Sequence, residues 1–81
     1  MNKIVVYALT TCPHCKRVIE FLKKSEAEFE VIWLDELKGG ERRKAIEEVR
    51  TISGSYAVPV VVKGEKYVLG YDLEELKGLI T

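Results

Sequence analysis

The run Ile4-Val5-Val6-Tyr7-Ala8-Leu9 is apolar at every position, and three residues later the chain reads Cys12-Pro13. Six consecutive β-favouring apolar residues suit a central strand covered on both faces. Proline is well placed at the first helical position, where an amide hydrogen has no partner to lose. A buried strand must therefore turn directly into a helix, which puts Cys12 at the helix N-cap.

The rest of the chain fits around that junction. The apolar stripe of the helix after Cys12 includes Val18, Phe21 and Leu22 and fades near Ser25. A second strand is expected over 29–34, with Phe29, Val31 and Trp33 on one face. A strand–helix–strand unit this short implies a parallel pair with a right-handed crossover. Gly39-Gly40 reads as a break, followed by an amphipathic helix over 41–52 that turns Ala45, Ile46, Val49 and Ile52 inward and ends at Ser53-Gly54-Ser55. Strands over 58–62 and 67–69 flank Lys63-Gly64-Glu65-Lys66, a hairpin turn. Asp72-Leu73-Glu74-Glu75 reads as a capping box, with Tyr71 and Leu76 at the staple positions. Leu73, Leu76 and Ile80 are expected to pack the last helix on the sheet. The fold class is α/β, βαβ followed by ββα: a four-stranded mixed sheet flanked by three helices, forming one domain over residues 1–81.

Charge narrows the partners. Thirteen basic residues balance thirteen acidic ones, so no net field draws the chain to nucleic acid or an anionic membrane. The opening apolar run is short even for a signal-peptide core, and no small-residue cleavage site follows it. No stretch approaches the length needed to cross a membrane. The expected location is the cytoplasm, with a mature form that has lost its leader as the other possibility.

Both cysteines of the chain lie in Cys12-Pro13-His14-Cys15. Spaced three apart, they do not staple distant parts of a fold, and in a reducing compartment the spacing reads as redox-active or metal-binding. At the N-cap, the Cys12 sulfur faces the free amides of His14 and Cys15 and the positive end of the helix dipole. Both favour the thiolate, the attacking species in disulfide exchange. Cys15, one turn on and on the same side, is the resolving thiol. Two readings compete: a pair of buried structural cysteines, and a metal pair, for which one C-x-x-C supplies only two of the four ligands a structural zinc takes. His14, if protonated, adds positive charge beside Cys12 and makes the pair more oxidising; otherwise it is an exposed helix residue. Lys16 and Arg17 read as a solvated helix face. Thr10 and Thr11 are candidates to hydrogen-bond near the sulfur, and Tyr7 and Tyr71 to border the site. Pro59, read from the residues alone, opens a strand.

Residues Tyr7 to Cys15 resemble the active-site segment of glutaredoxins, Ala57-Val58-Pro59 resembles their threonine-valine-proline loop, and Gly70-Tyr71-Asp72 resembles the glycine turn before their last helix. The resemblance implies a thioredoxin-like fold and a monomeric thiol–disulfide oxidoreductase acting in cell redox homeostasis. It also implies a cis Pro59 that leaves the Val58 backbone open to an extended substrate, with Thr11, Gly70, Tyr71 and Asp72 as further substrate contacts. The implied partners are a disulfide-containing protein and an electron donor, either glutathione or a thioredoxin reductase, with no bound cofactor and no metal. Leu9 stands where glutathione-using members carry a lysine, and Arg42, Arg43 and Lys44 are candidates to replace that cation. An aromatic after the glycine, here Tyr71, is closer to the NrdH-like redoxins that serve ribonucleotide reductase. The alternative function is an iron–sulfur or metal carrier with Cys12 as ligand, although such members mostly carry C-G-F-S.

Overall fold

In a computed structural model that describes residues 3–80, the elements run β1 (Ile4–Ala8), α1 (Pro13–Lys24), β2 (Phe29–Trp33), α2 (Gly39–Ser53), β3 (Val60–Lys63), β4 (Lys66–Leu69) and α3 (Leu73–Ile80). The sheet order is β2-β1-β3-β4. β1 pairs parallel with β2, and the β1–β3 and β3–β4 pairs are antiparallel. This is the expected βαβ–ββα mixed sheet.

Strand β1 is apolar throughout because it feeds two cores. Ile4, Val6 and Ala8 join Cys15, Val18 and Leu22 of α1 and Leu76 and Leu79 of α3 on one face. On the other face, Tyr7 meets Ala45 and Val49 of α2 together with Leu34 and Val60. Alternation along a strand sends successive side chains to opposite faces, so one run of residues serves both layers.

Several boundaries differ from expectation for physical reasons. β1 stops at Ala8 and β2 at Trp33, each a residue short. Leu34 instead lies in a turn, though its N–H still donates to the Ala8 carbonyl at 2.9 Å. Gly39-Gly40 does not precede α2 but forms its first turn, with Lys38 as N-cap. The opening N–H groups of a helix lack intrahelical partners in any case, so flexible residues cost less there than in its interior. β3 begins at Val60, leaving Val58 outside it, and β4 gains Lys66, opposite Lys63. The hairpin loop is thus Gly64-Glu65, with a left-handed φ of 64° at Gly64 only, as turns with glycine at their first central position require.

On α3 the inward face is shifted. Leu76 and Leu79 are buried, whereas Leu73 is 39% exposed. The Asp72 carboxylate accepts the Glu75 N–H at 3.2 Å, which caps the helix as expected. Among the described residues, no helix is long and apolar enough to cross a membrane.

Candidate active site

The loop from Leu9 to Cys12 links the end of β1 to α1. The Cys12 N–H donates to the Leu9 carbonyl at 3.2 Å, which closes a tight turn. Cys12 then takes an extended conformation, φ −91° and ψ 115°, at the N-cap of α1, and Pro13 opens the helix. Its sulfur accepts the N–H of Cys15 at 3.3 Å. A side-chain acceptor on an early helical N–H is the bond an N-cap makes, and here the acceptor is sulfur.

The two thiols are free and differ sharply in setting. Cys12 is half-buried, while Cys15 is 0% exposed and part of the α1–α3 core. Burial pushes the Cys15 thiol up to about 12, and the hydrogen bond to Cys12 and that residue's charge push in the same direction. Desolvation penalises the charged form, so the inner sulfur holds its proton. Pro13 and His14 are exposed on the first turn.

The other expected residues arrive from β3 and its flanks. The Val58–Pro59 peptide bond is cis. Val60 pairs with Tyr7 across the antiparallel β1–β3 ladder, so Pro59 lies at the end of β1 from which Cys12 departs. Val58 and Cys12 both pack against the same core cluster. Gly70, with φ 79°, donates its N–H to the Pro59 carbonyl at 2.8 Å and ties the end of β4 to this loop. Tyr71 and Asp72 come next and are exposed, and Asp72 is engaged in capping α3. Thr11 is exposed in the turn before Cys12.

Two expectations are corrected. Thr10 does not turn to the sulfur: its hydroxyl donates to Asp35 Oδ2, and its N–H lies 3.2 and 3.1 Å from Asp35 Oδ1 and Oδ2. Tyr7 does not border the site. It is buried against α2, and its hydroxyl donates to Glu48 Oε2 at 2.9 Å. Burial, then the hydrogen bond to Glu48, then the charge of that residue, raise the Tyr7 phenol to about 12.

Asp35 carries no motif or periodic signal in the sequence, yet it reaches this end of the molecule. It lies just after β2 at the same end of the sheet. The hydrogen bond from the Thr10 hydroxyl is the main cause holding its carboxyl below the usual carboxylate range, with Arg42 contributing. Arg42 and Arg43 also line a groove of about 410 Å³ with Ile46 and the exposed Tyr56. Leu9 packs half-buried against the α2-side core, so no cation stands at that position. Among the described residues, no group of three or more His, Cys, Asp or Glu side chains is arranged to hold a metal ion.

Known proteins share this fold. Residues 4–68 match the glutaredoxin family profile. A glutaredoxin-like 8.6 kDa protein of the rubredoxin operon of Clostridium pasteurianum is 35% identical over 78 residues, covering 95% of this chain and 96% of that one. The crystal structure of a glutaredoxin from Archaeoglobus fulgidus superposes with a TM-score of 0.95 at 62% identity, covering 99% of this chain and 87% of that one. A buckwheat glutaredoxin solved as a glutathione complex gives 0.77 at 26% identity, covering 98% of this chain and 76% of that one. Profile, near-full-length relative and superposed fold all agree with the cysteine pair at the head of α1: the chain belongs to the glutaredoxin family.

Proposed function

We propose that this chain is a dithiol oxidoreductase that reduces protein disulfides through Cys12 and Cys15. One observation carries the reading: a half-buried sulfur at a helix N-cap accepts the N–H of a second, wholly buried cysteine one turn away.

The Cys12 thiolate attacks one sulfur of the substrate disulfide, a Cys12–substrate S–S bond forms, and the other substrate sulfur leaves and takes a proton. Once Cys12 is in that mixed disulfide its charge is gone, and with it two of the causes that hold the proton on Cys15. Cys15 then loses its proton and attacks the Cys12 sulfur. The second substrate thiolate leaves, and the pair ends as a disulfide that has given up two electrons. A thiol reductant returns them. Val58, just before Pro59, presents backbone at the same end of the sheet for an extended substrate segment, with Thr11, Gly70, Tyr71 and Asp72 around it, and His14 tunes the pair from the exposed helix surface.

Of the two donors, glutathione or a thioredoxin reductase, we propose weak coupling to glutathione. The buckwheat relative is solved with glutathione, but here Leu9 packs into the core where glutathione-using members carry a lysine. The test is a coupled assay on one disulfide substrate, with glutathione and glutathione reductase against thioredoxin reductase. Weak turnover with glutathione is expected. Robust glutathione turnover would overturn the weak coupling and leave the dithiol chemistry standing, whereas full activity in Cys12→Ser would end it.

A further inference from the structure

We infer that Asp35 is a positioning residue for Cys12, acting through Thr10; the inference rests on the dithiol chemistry proposed for this chain. Thr10 and Asp35 are 25 residues apart in sequence, and the β1–β2 ladder brings them together. Ala8 is opposite Trp33, and the Leu34 N–H still finds the Ala8 carbonyl. One residue further, at the point where both strands have ended, the Asp35 carboxylate accepts both the N–H and the hydroxyl of Thr10. A side-chain carboxylate thus anchors the loop just past the last rung of the ladder.

The nucleophile lies immediately beyond that anchor. Only Thr11 separates Thr10 from Cys12, and the Cys12 N–H closes back on Leu9. The Leu9–Cys12 turn is therefore held on one side by its own hydrogen bond and on the other by Asp35. Its geometry sets where Cys12 leaves the sheet and hence whether its sulfur meets the Cys15 N–H. A nucleophile placed by a pinned loop reacts faster than one that must be ordered in each encounter.

Charge and clamp predict opposite signs, so experiment can separate them. Asp35 is solvent-exposed and ionised, and a nearby negative charge in general disfavours a thiolate. Removing only the charge would speed alkylation, and removing the clamp slows it. Asn at this position keeps an oxygen for the Thr10 N–H and an amide group for the hydroxyl without the charge.

The experiment is the rate of iodoacetamide alkylation of Cys12 at pH 7, located by peptide mapping, in the reduced full chain carrying Asp35→Ala, Asp35→Asn or Thr10→Val. Circular dichroism confirms the fold of each. Asp35→Ala should be slower by roughly three- to tenfold, the loss of a small hydrogen-bond set, and Thr10→Val slower in the same direction. Asp35→Asn should match or exceed the unmodified chain. Overturning results are an Asp35→Ala rate equal to or above the unmodified chain, or an Asp35→Asn rate as low as that of Asp35→Ala. A failure of the dithiol chemistry itself shows separately, as disulfide reductase activity that survives Cys12→Ser.

Discussion

Cys15 is sealed in the core one helical turn behind Cys12, and its own backbone N–H points back at the Cys12 sulfur from 3.3 Å. One residue thereby contributes a hydrogen bond to the outer thiol before it contributes its own thiol. The backbone role survives replacement of the side chain by serine, and the sulfur role does not. Cys15→Ser should therefore keep the first step and trap the mixed disulfide, seen as an adduct by mass spectrometry. Cys12→Ser should lower disulfide reduction by at least about a hundredfold, because the nucleophile is gone.

Alkylation should separate the two thiols without any mutation. Under native conditions iodoacetamide should modify Cys12 and leave Cys15 unmodified, since Cys15 is inaccessible and its thiol lies at about 12. In denaturant both should react. Equal native labelling would show that reagent reaches Cys15 inside the folded chain and would contradict its burial.

Asp35 gives the fold an acid-sensitive contribution. Its carboxyl is lowered, first by the Thr10 hydroxyl. A carboxyl lowered on folding adds stability that is full above the unfolded-state value and is lost as pH falls through the folded one. Urea unfolding from about pH 6 to pH 2 should show Asp35→Asn less stable than the parent at the upper end and the two converging in acid. Parallel curves would contradict the assignment.

Tyr7 gives the opposite limb. Its phenol is raised to about 12, from burial, then the bond to Glu48, then that residue's charge. The unfolded chain ionises first as pH rises past about 10, so stability falls from there through the folded value. Tyr7→Phe should lose about 1 kcal/mol at neutral pH with the hydrogen bond and should flatten this alkaline decline. Unfolding midpoints between neutral pH and about pH 11 measure both effects.

Leu76 is fully buried between α3 and the sheet. Leu76→Ala should cost about 2–5 kcal/mol, a large part of what a domain of this size has. Leu73→Ala, on the exposed face of the same helix, should cost far less. Chemical denaturation of the two variants tests the observed facing of α3 directly.

Most of the fold is legible because local chemistry and burial pattern agree. Pro13 after a wholly apolar run fixes the strand-to-helix junction, and with it Cys12 at the cap. Gly54 ends α2 in a left-handed conformation, as its position after Ser53 suggests. Gly39-Gly40 misleads, because glycine breaks a helix interior but not its first turn. Leu73 misleads because a few apolar residues in an eight-residue helix define more than one stripe. The cis bond at Pro59 is anticipated only through the resemblance to glutaredoxins, since no residue type nearby demands it. The Thr10–Asp35 contact is illegible for another reason: two polar residues in loops carry no periodic signal, and only the β1–β2 register joins them.

The antiparallel β1–β3 pairing brings Cys12 and Pro59 to one end of the sheet from opposite chain directions. A slip of β3 by a single residue would carry Pro59 away from Cys12 and at once turn Val60 and Val61 to the wrong layers. The register that buries Val60 and Val61 in their layers therefore also holds Pro59 at the reactive corner. Selection for solubility or half-life alone would keep the corner in register, even in a lineage where the chemistry had lapsed.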